Sequence, residues 1–92
     1  MIGSFRPKGL KEFFETGSKR GIRPELAERI GRRLDVLEAA QQINDIDAHG
    51  FNLHELKGNR RGEWAISVSG NWRITFKFVN GEALDINVED YH

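Results

Sequence analysis

The chain has 92 residues, 38% of them hydrophobic, and its 14 Lys and Arg residues are balanced by 14 Asp and Glu residues. This length predicts one domain over residues 1–92 with a single modest core, and the apolar content excludes an intrinsically disordered chain. The absence of cysteine excludes disulfides and thiolate metal sites, and the start lacks the apolar run of a signal peptide or membrane span, so we expect a cytoplasmic protein with no membrane contact.

The charges are unevenly distributed along the chain. Segment 1–33 contains nine Lys and Arg residues and four Glu residues, and segment 51–77 contains five basic and two acidic residues. The zero net charge argues against a general DNA-coating protein, for which a pI above about 9 is typical. The two basic segments still allow a local polyanion site, although solvated helix faces explain the first one equally well.

The first elements in chain order are a short strand and a helix. Ile2–Phe5 is typical of a strand, and after it the apolar residues Leu10, Phe13 and Phe14 recur at helical spacing. Gly17 stands one turn later, where a glycine commonly ends a helix. We therefore predict a first helix that ends at Gly17.

A second helix is predicted from Pro24, a residue that suits a first helical turn. Its apolar stripe consists of Leu26, Ile30, Leu34 and Leu37. Two i, i+4 ion pairs are expected on its outer face: Glu25 with Arg29, and Glu28 with Arg32. Helical propensity lapses in the acidic connection Ile43–Gly50.

From Phe51 the apolar period changes to two. Three alternating stretches follow a short strand near Leu53–Leu56, and they are Trp64–Val68, Trp72–Phe78 and Leu84–Val88. This pattern predicts an antiparallel meander with one buried face. Two helices covering that face would give an α+β fold of two layers.

The alternation also predicts the register of the hairpin turns. A two-residue Asn80-Gly81 loop would place Phe76 opposite Asp85 and mix the two faces. A three-residue loop with Gly81 in the left-handed region avoids this conflict. The pairs expected from it are Phe76 with Leu84, and Ile74 with Ile86.

The same reasoning predicts a three-residue loop at 69–71, which pairs Val68 with Trp72. Arg73 would then lie on the polar face between Ser67 and Asn87. An arginine in mid-strand is most simply an exposed residue paired with a carboxylate such as Glu89. Its alternative role is a planar donor for phosphate, because its fork binds two oxygens at once.

The stretch 53–62 carries a second group of polar residues. His54 and Lys57 are followed by Arg60 and Arg61, and a polar turn between strands explains them most simply. The alternative is a basic loop beside a groove, with Lys57 as a point charge for phosphate. The spacing of a Walker loop is absent.

Metal and acyl-transfer chemistry are disfavoured. His49, His54 and His92 lack the spacing of a zinc site, and the chain has neither a nucleophilic cysteine nor a serine elbow. We therefore expect no metal and no cofactor.

Adjacent antiparallel strands bring several chemically active residues towards one end of the sheet. The residues expected to converge there are His54, Lys57, Arg73, Asp90, Tyr91 and His92. Imidazole, carboxylate and fixed cations suit RNA cleavage, in which a base takes the 2′-hydroxyl proton, cations stabilise the phosphorane and an acid protonates the leaving oxygen. The phenol ring can stack an unpaired base.

Three stretches carry a family resemblance: LHELKG at 53–58, GEWAISVSGNWRITFKF at 62–78 and EDYH at 89–92. They resemble the HigB toxins of the RelE superfamily, and the segment 1–17 fits the same family. The resemblance implies a RelE-like fold, with two N-terminal helices packed on an antiparallel sheet. It also implies an mRNA interferase that cuts mRNA in the ribosomal A site, inhibits translation and growth, and is held inactive by a helix-turn-helix antitoxin of the HigA type.

By position, the six converging residues match the functional residues of that family. Asp90 or His92 is the expected general base, and His54 is an alternative base or the acid. Lys57 and Arg73 would stabilise the phosphorane. Basic patches for ribosomal RNA are assigned to Arg60, Arg61 and Lys77. Glu55 and Glu63 depart from the Pro and the aromatic residue that are common in the family.

Two other functions remain open at this point. A RelE-fold protein without activity could act only as a binding module through an antitoxin or regulatory partner. A small DNA-binding regulator is disfavoured by the charge balance and by the lack of a helix-turn-helix pattern.

Overall fold

A computed structural model describes residues 1–91 of the chain. Its helices and strands are α1 Lys8–Thr16, α2 Ala27–Ala39, β1 His54–Glu55, β2 Glu63–Ser69, β3 Trp72–Val79 and β4 Glu82–Asp90. Short 3-10 turns lie at Pro24–Leu26, Ile43–Ile46 and Gly58–Arg60. The four strands form one antiparallel sheet in the order β1-β2-β3-β4, so the predicted α+β class is confirmed.

Helix α1 ends at Gly17, as predicted. It begins directly after Pro7, and Gly17 ends it in the left-handed region with a φ of 80°. The Gly17 backbone N–H donates to the carbonyl of Phe13, which closes the last turn.

Helix α2 buries the predicted stripe: Leu26, Ile30, Leu34 and Leu37. The ion pair between Arg32 and Glu28 is also confirmed, with 2.6 Å between nitrogen and oxygen. The expected pair of Glu25 with Arg29 is wrong. Glu25 lies in the 3-10 turn ahead of the helix and pairs with Arg23 at 3.7 Å, because the tighter turn breaks the i, i+4 spacing.

The N-terminal segment runs beside β4 without forming a regular strand. It makes isolated parallel bridges from Ile2 to Ala83 and from Phe5 to Ile86. The Met1 ammonium group donates to the carbonyl of Ala40 at 2.7 Å. The predicted strand at Ile2–Phe5 is therefore an extended segment attached at two points.

The predicted register at the second hairpin is wrong. Val79 pairs with Glu82 across a two-residue turn, in which Asn80 and Gly81 have φ values of 51° and 81°. The conflict between the two faces is resolved inside the strand, since β4 contains one extra residue near Asp85, which has a φ of 53°.

This bulge changes which residues of β4 enter the core. Lys77 pairs with Leu84, whereas Ile74 pairs with Val88, so neither predicted pair forms. Ala83 and Ile86 are fully buried, and Leu84 is not.

The first hairpin has a two-residue turn as well. Ser69 pairs with Trp72, and Val68 is the extra residue of a bulge next to the turn, so the predicted pair of Val68 with Trp72 is wrong. Arg73 lies opposite Ser67 as predicted, but the shorter second turn and the extra residue in β4 place it beside Glu89 instead of Asn87.

One hydrophobic cluster joins residues from the helices and the sheet. Its fully buried large side chains are Leu10, Ile30, Leu34, Leu37, Ile46, Ile66, Ile74, Phe76 and Ile86. Thr75 is a buried polar residue and is 1% exposed. Within residues 1–91, neither helix has the length and apolar character that crossing a bilayer requires.

Candidate functional site

An open cleft of about 570 Å³ lies beside the polar face of the sheet, where β1 faces the first hairpin turn. Four of the six predicted catalytic residues line it: His54, Lys57, Arg73 and Tyr91. Arg60, which was predicted to bind RNA, lines it as well. Segments distant in sequence therefore meet at one place, because antiparallel pairing sets β1 beside β2 and β2 beside β3.

His54 lies in β1 and is exposed to the cleft. Its Nδ1 lies 2.9 Å from the carbonyl oxygen of Asn52. Because a carbonyl only accepts hydrogen bonds, Nδ1 is the donor, and in the neutral ring Nε2 carries the free lone pair. This arrangement gives His54 a defined nitrogen that can take a proton.

Lys57 follows β1 and precedes the 3-10 turn Gly58–Arg60. The hydrogen bond from the Leu56 backbone to the carbonyl of Glu63, at 2.8 Å, continues the pairing of β1 with β2 up to this point. The lysine is exposed, so its ammonium group is a mobile point charge at the rim of the cleft.

Arg73 lies in mid-strand on β3, and its side chain is only 15% exposed. Its guanidinium carbon is 4.4 Å from the centroid of the Tyr91 ring. Nη2 contacts Glu89 at 3.4 Å, and Nε is buried without a hydrogen-bond partner among residues 1–91. The expected pairing with Glu89 is confirmed, but the side chain is largely enclosed instead of exposed.

Tyr91 is held at the end of the sheet by its backbone. Its N–H donates to the carbonyl of Asn71 at 2.7 Å, which continues β4 alongside the first hairpin turn. The residue is 58% exposed. The aromatic ring thus lies over the Arg73 guanidinium group while much of the residue faces solvent.

Ion pairs connect Arg60 and Arg73, which both line the cleft, through the carboxylate of Glu89. Arg60 donates to Glu63 at 2.9 and 3.2 Å, and to Glu89 at 2.6 and 2.8 Å. The Thr75 hydroxyl donates to Glu89 at 2.6 Å. Hydrogen bonds from Arg60, and further ones from Thr75 and Arg73, lower the pKa of Glu89 to about 2. Arg60 likewise lowers the pKa of Glu63, and both carboxylates raise the pKa of Arg60.

The other predicted site residues lie around the cleft or apart from it. Asp90 ends β4 opposite Trp72 and is exposed, and the cleft wall within residues 1–91 does not include it. Arg61 lines a neighbouring hollow of about 430 Å³ together with Lys57. Lys77 lies farther along β3, 3.7 Å from Asp85. His92 lies outside the described residues.

Four further polar residues line the cleft and were not predicted as site residues: Asn52, Glu55, Ser67 and Asn71. Asn52 has a φ of 49°, and its carbonyl orients His54. Asn71 follows Gly70 in the hairpin turn, and its carbonyl holds Tyr91. Both act through backbone oxygens, which every residue has, so the residue types gave no signal for these roles.

Comparisons with known proteins agree on one family. Residues 3–92 match the family described as the RelE-like toxin of type II toxin–antitoxin system HigB. Endoribonuclease HigB of Proteus vulgaris is 47% identical over 92 residues and is covered completely, as is this chain. Toxin HigB-1 of Vibrio cholerae serotype O1 is 32% identical, with 99% of this chain and 98% of that protein covered.

A chain in a solved structure has a fold similar to that of this protein. The YoeB-YefM complex from Staphylococcus aureus contains a chain that superposes with a TM-score of 0.60. The match covers 100% of this chain and 98% of that one at 13% sequence identity, so it bears on the fold alone.

Proposed function

The chain belongs to the HigB-like family of RelE-like toxins from type II toxin–antitoxin systems, and we propose that it is a ribosome-dependent endoribonuclease that cleaves mRNA in the A site. Cleavage would inhibit translation and growth. The observation that carries this proposal is the meeting of His54, Lys57, Arg73 and Tyr91 around one cleft. The Proteus vulgaris relative is named an endoribonuclease, which supports the reaction class.

The proposed reaction is attack by the ribose 2′-hydroxyl on the adjacent phosphorus. A base removes the 2′-hydroxyl proton, the 2′ oxygen bonds to phosphorus, and the bond from phosphorus to the 5′ oxygen breaks. An acid protonates the leaving 5′ oxygen, so the products end in a 2′,3′-cyclic phosphate and a 5′-hydroxyl. DNA lacks the attacking group, and the site would therefore select RNA.

Each side chain has a proposed part in this reaction. Arg73 and Lys57 stabilise the charge of the phosphorane, one from an enclosed and oriented position and the other as a mobile cation. Tyr91 stacks the base of a nucleotide whose phosphate contacts Arg73. His54 exchanges a proton through Nε2, and Asp90 and His92 are the other candidates for acid and base.

The remaining proposals concern fold, partners and location. We propose one cytoplasmic domain over residues 1–92, a RelE-like fold with the two helices packed on the sheet. Arg61 and Lys77 are proposed to contact ribosomal RNA. A helix-turn-helix antitoxin of the HigA type is the proposed inhibitor, because the family is defined by toxin–antitoxin systems.

Induction of the protein in bacteria tests the proposed activity. The wild type should arrest growth and produce mRNA ends within codons of translated messages. Arg73→Ala should remove both effects while its thermal unfolding stays cooperative. Normal growth and intact mRNA with the wild type would contradict the enzyme and favour a binding module that acts through a partner.

A further inference from the structure

The two arginines of the cleft share Glu89 unequally. Arg60 approaches its two carboxylate oxygens at 2.8 and 2.6 Å, whereas Arg73 reaches one of them at 3.4 Å. Hydrogen bonds between a charged donor and a carboxylate are typically about 2.7–2.9 Å long. The Glu89 charge is therefore compensated mainly by Arg60.

The guanidinium group of Arg60 points towards the carboxylates of Glu63 and Glu89. Nε and Nη2 contact Glu63, and Nη1 and Nη2 contact Glu89, so every nitrogen of the guanidinium group has a carboxylate partner. A planar fork used in this way on two carboxylates has little capacity left for a phosphate. This geometry differs from the expectation that Arg60 itself binds RNA or the ribosome.

The formal charges show what Arg60 does for its neighbour. Together, Arg60, Glu63 and Glu89 carry one negative charge, and without Arg60 the two carboxylates would present two negative charges to Arg73. The side chains concerned are 15–32% exposed, so solvent screens these interactions only in part. Arg73 would then be drawn into a close pair with Glu89.

We propose that Arg60 is a positioning residue that holds Glu89 away from a close ion pair with Arg73 and thereby keeps Arg73 available for the RNA phosphate. This inference rests on the proposed function, because it takes Arg73 as the phosphate-binding group. Thr75 assists, since its hydroxyl donates at 2.6 Å to the Glu89 oxygen that also accepts from Arg60 Nη2. Arg60 thus acts on the reaction without touching the substrate.

Three variants test the inference through the rate of mRNA cleavage in a reconstituted translation assay. Arg60→Met should lower kcat on the order of 10-fold, the effect of one additional nearby charge at partial screening. The double variant Arg60→Met/Glu89→Gln restores the charge of the cluster, so its kcat should return to within about 3-fold of the wild type. Arg60→Lys, which keeps the charge but cannot contact both carboxylates in the same way, should lie between.

Two results would overturn the inference in this assay. If the double variant cleaves as slowly as Arg60→Met, Arg60 acts on RNA directly or only through stability. Arg32→Met is the matched control, because it removes an arginine from an exposed pair with Glu28 on α2. An equal loss of kcat in this control would assign the effect to net charge alone.

A crystal structure of Arg60→Met separates this inference from the proposed function. The distance from Arg73 Nη2 to Glu89 Oε1 should shorten from 3.4 Å to about 2.8 Å. A distance unchanged from the wild type would overturn the positioning role whether or not the protein cleaves RNA. A wild type without cleavage, combined with the shortened distance, would refute only the proposed function.

Discussion

The guanidinium carbon of Arg73 lies 4.4 Å from the centroid of the Tyr91 ring, and both side chains line the same cleft. A cation over an aromatic ring is stabilised by about 0.5–2 kcal/mol, more when the pair is shielded from water. The contact links mid-strand β3 to the end of the described chain. It places the group that we propose to bind phosphate directly beside the ring on which we propose that a base stacks.

Substitutions of Tyr91 distinguish stacking from chemistry at the hydroxyl. Tyr91→Phe keeps the ring and should retain kcat/KM within about 3-fold, whereas Tyr91→Ala should lose on the order of 10- to 100-fold, because stacking a base contributes about 1–3 kcal/mol. The measurement is the rate of mRNA cleavage by both variants in the reconstituted assay. Equal losses in the two variants would show that the hydroxyl, and not the ring, is required.

Acid should destabilise the fold through Glu89. Its pKa is lowered from an ordinary 4.5 to about 2, so the unfolded chain takes up a proton at higher pH than the folded chain. The stabilisation is fully present above pH 4.5 and is lost as the pH falls from 4.5 through 2. Urea unfolding should show wild-type stability falling by about 1–3 kcal/mol more than that of Glu89→Gln over this window. Parallel curves for the two proteins would contradict this assignment.

Two glycines should respond oppositely to alanine. A Cβ at Gly9 would lie 2.9 Å from the Gly21 Cα, where the backbone of α1 crosses the following loop. Gly9→Ala should therefore lower the free energy of unfolding by about 1–2 kcal/mol. At Gly31 in α2, the nearest atom is 3.6 Å away on Phe13, so Gly31→Ala should stabilise by about 0.5–1 kcal/mol. Denaturant midpoints of both variants give the comparison, and destabilisation by Gly31→Ala would contradict the described packing.

The bulge in β4 makes Asp85 sensitive to side-chain shape. Its φ of 53° is accessible to Asn and Gly at low cost but not to a β-branched residue. Asp85→Val should destabilise by about 1–3 kcal/mol and Asp85→Asn by less than about 0.5 kcal/mol, as measured by urea unfolding. Because both variants remove the carboxylate near Lys77, a similar loss in both would assign the effect to that ion pair instead.

The helices and strands could be predicted because their signals are local. Leu10 and Gly17 mark the face and the end of α1 within one stretch of sequence, and α2 repeats its apolar stripe over three turns. The meeting of His54, Lys57 and Arg73 followed from the same information. Antiparallel neighbours leave few ways to arrange the strand ends.

The register of β3 with β4 could not be predicted, because two different pairings are compatible with the same alternation of apolar and polar residues. A longer turn at Gly81 and a bulge at Asp85 both keep Ile74 and Phe76 in the core. The protein contains the bulge at Asp85. The N-terminal segment forms bridges with Ala83 and Ile86, which lie on either side of this bulge. Because these bridges join residues about 80 positions apart in the sequence, no local sequence pattern predicts them.

Attack by the 2′-hydroxyl is tested most directly with an mRNA that has a single 2′-deoxyribose at the cleavage position in the A site. We expect the protein to cut the all-ribose mRNA to a 2′,3′-cyclic phosphate and a 5′-hydroxyl, and to leave the 2′-deoxy mRNA intact on the same ribosomes. Cleavage of the 2′-deoxy mRNA at the same site and rate would contradict attack by the 2′-hydroxyl, and with it the roles proposed for the cleft.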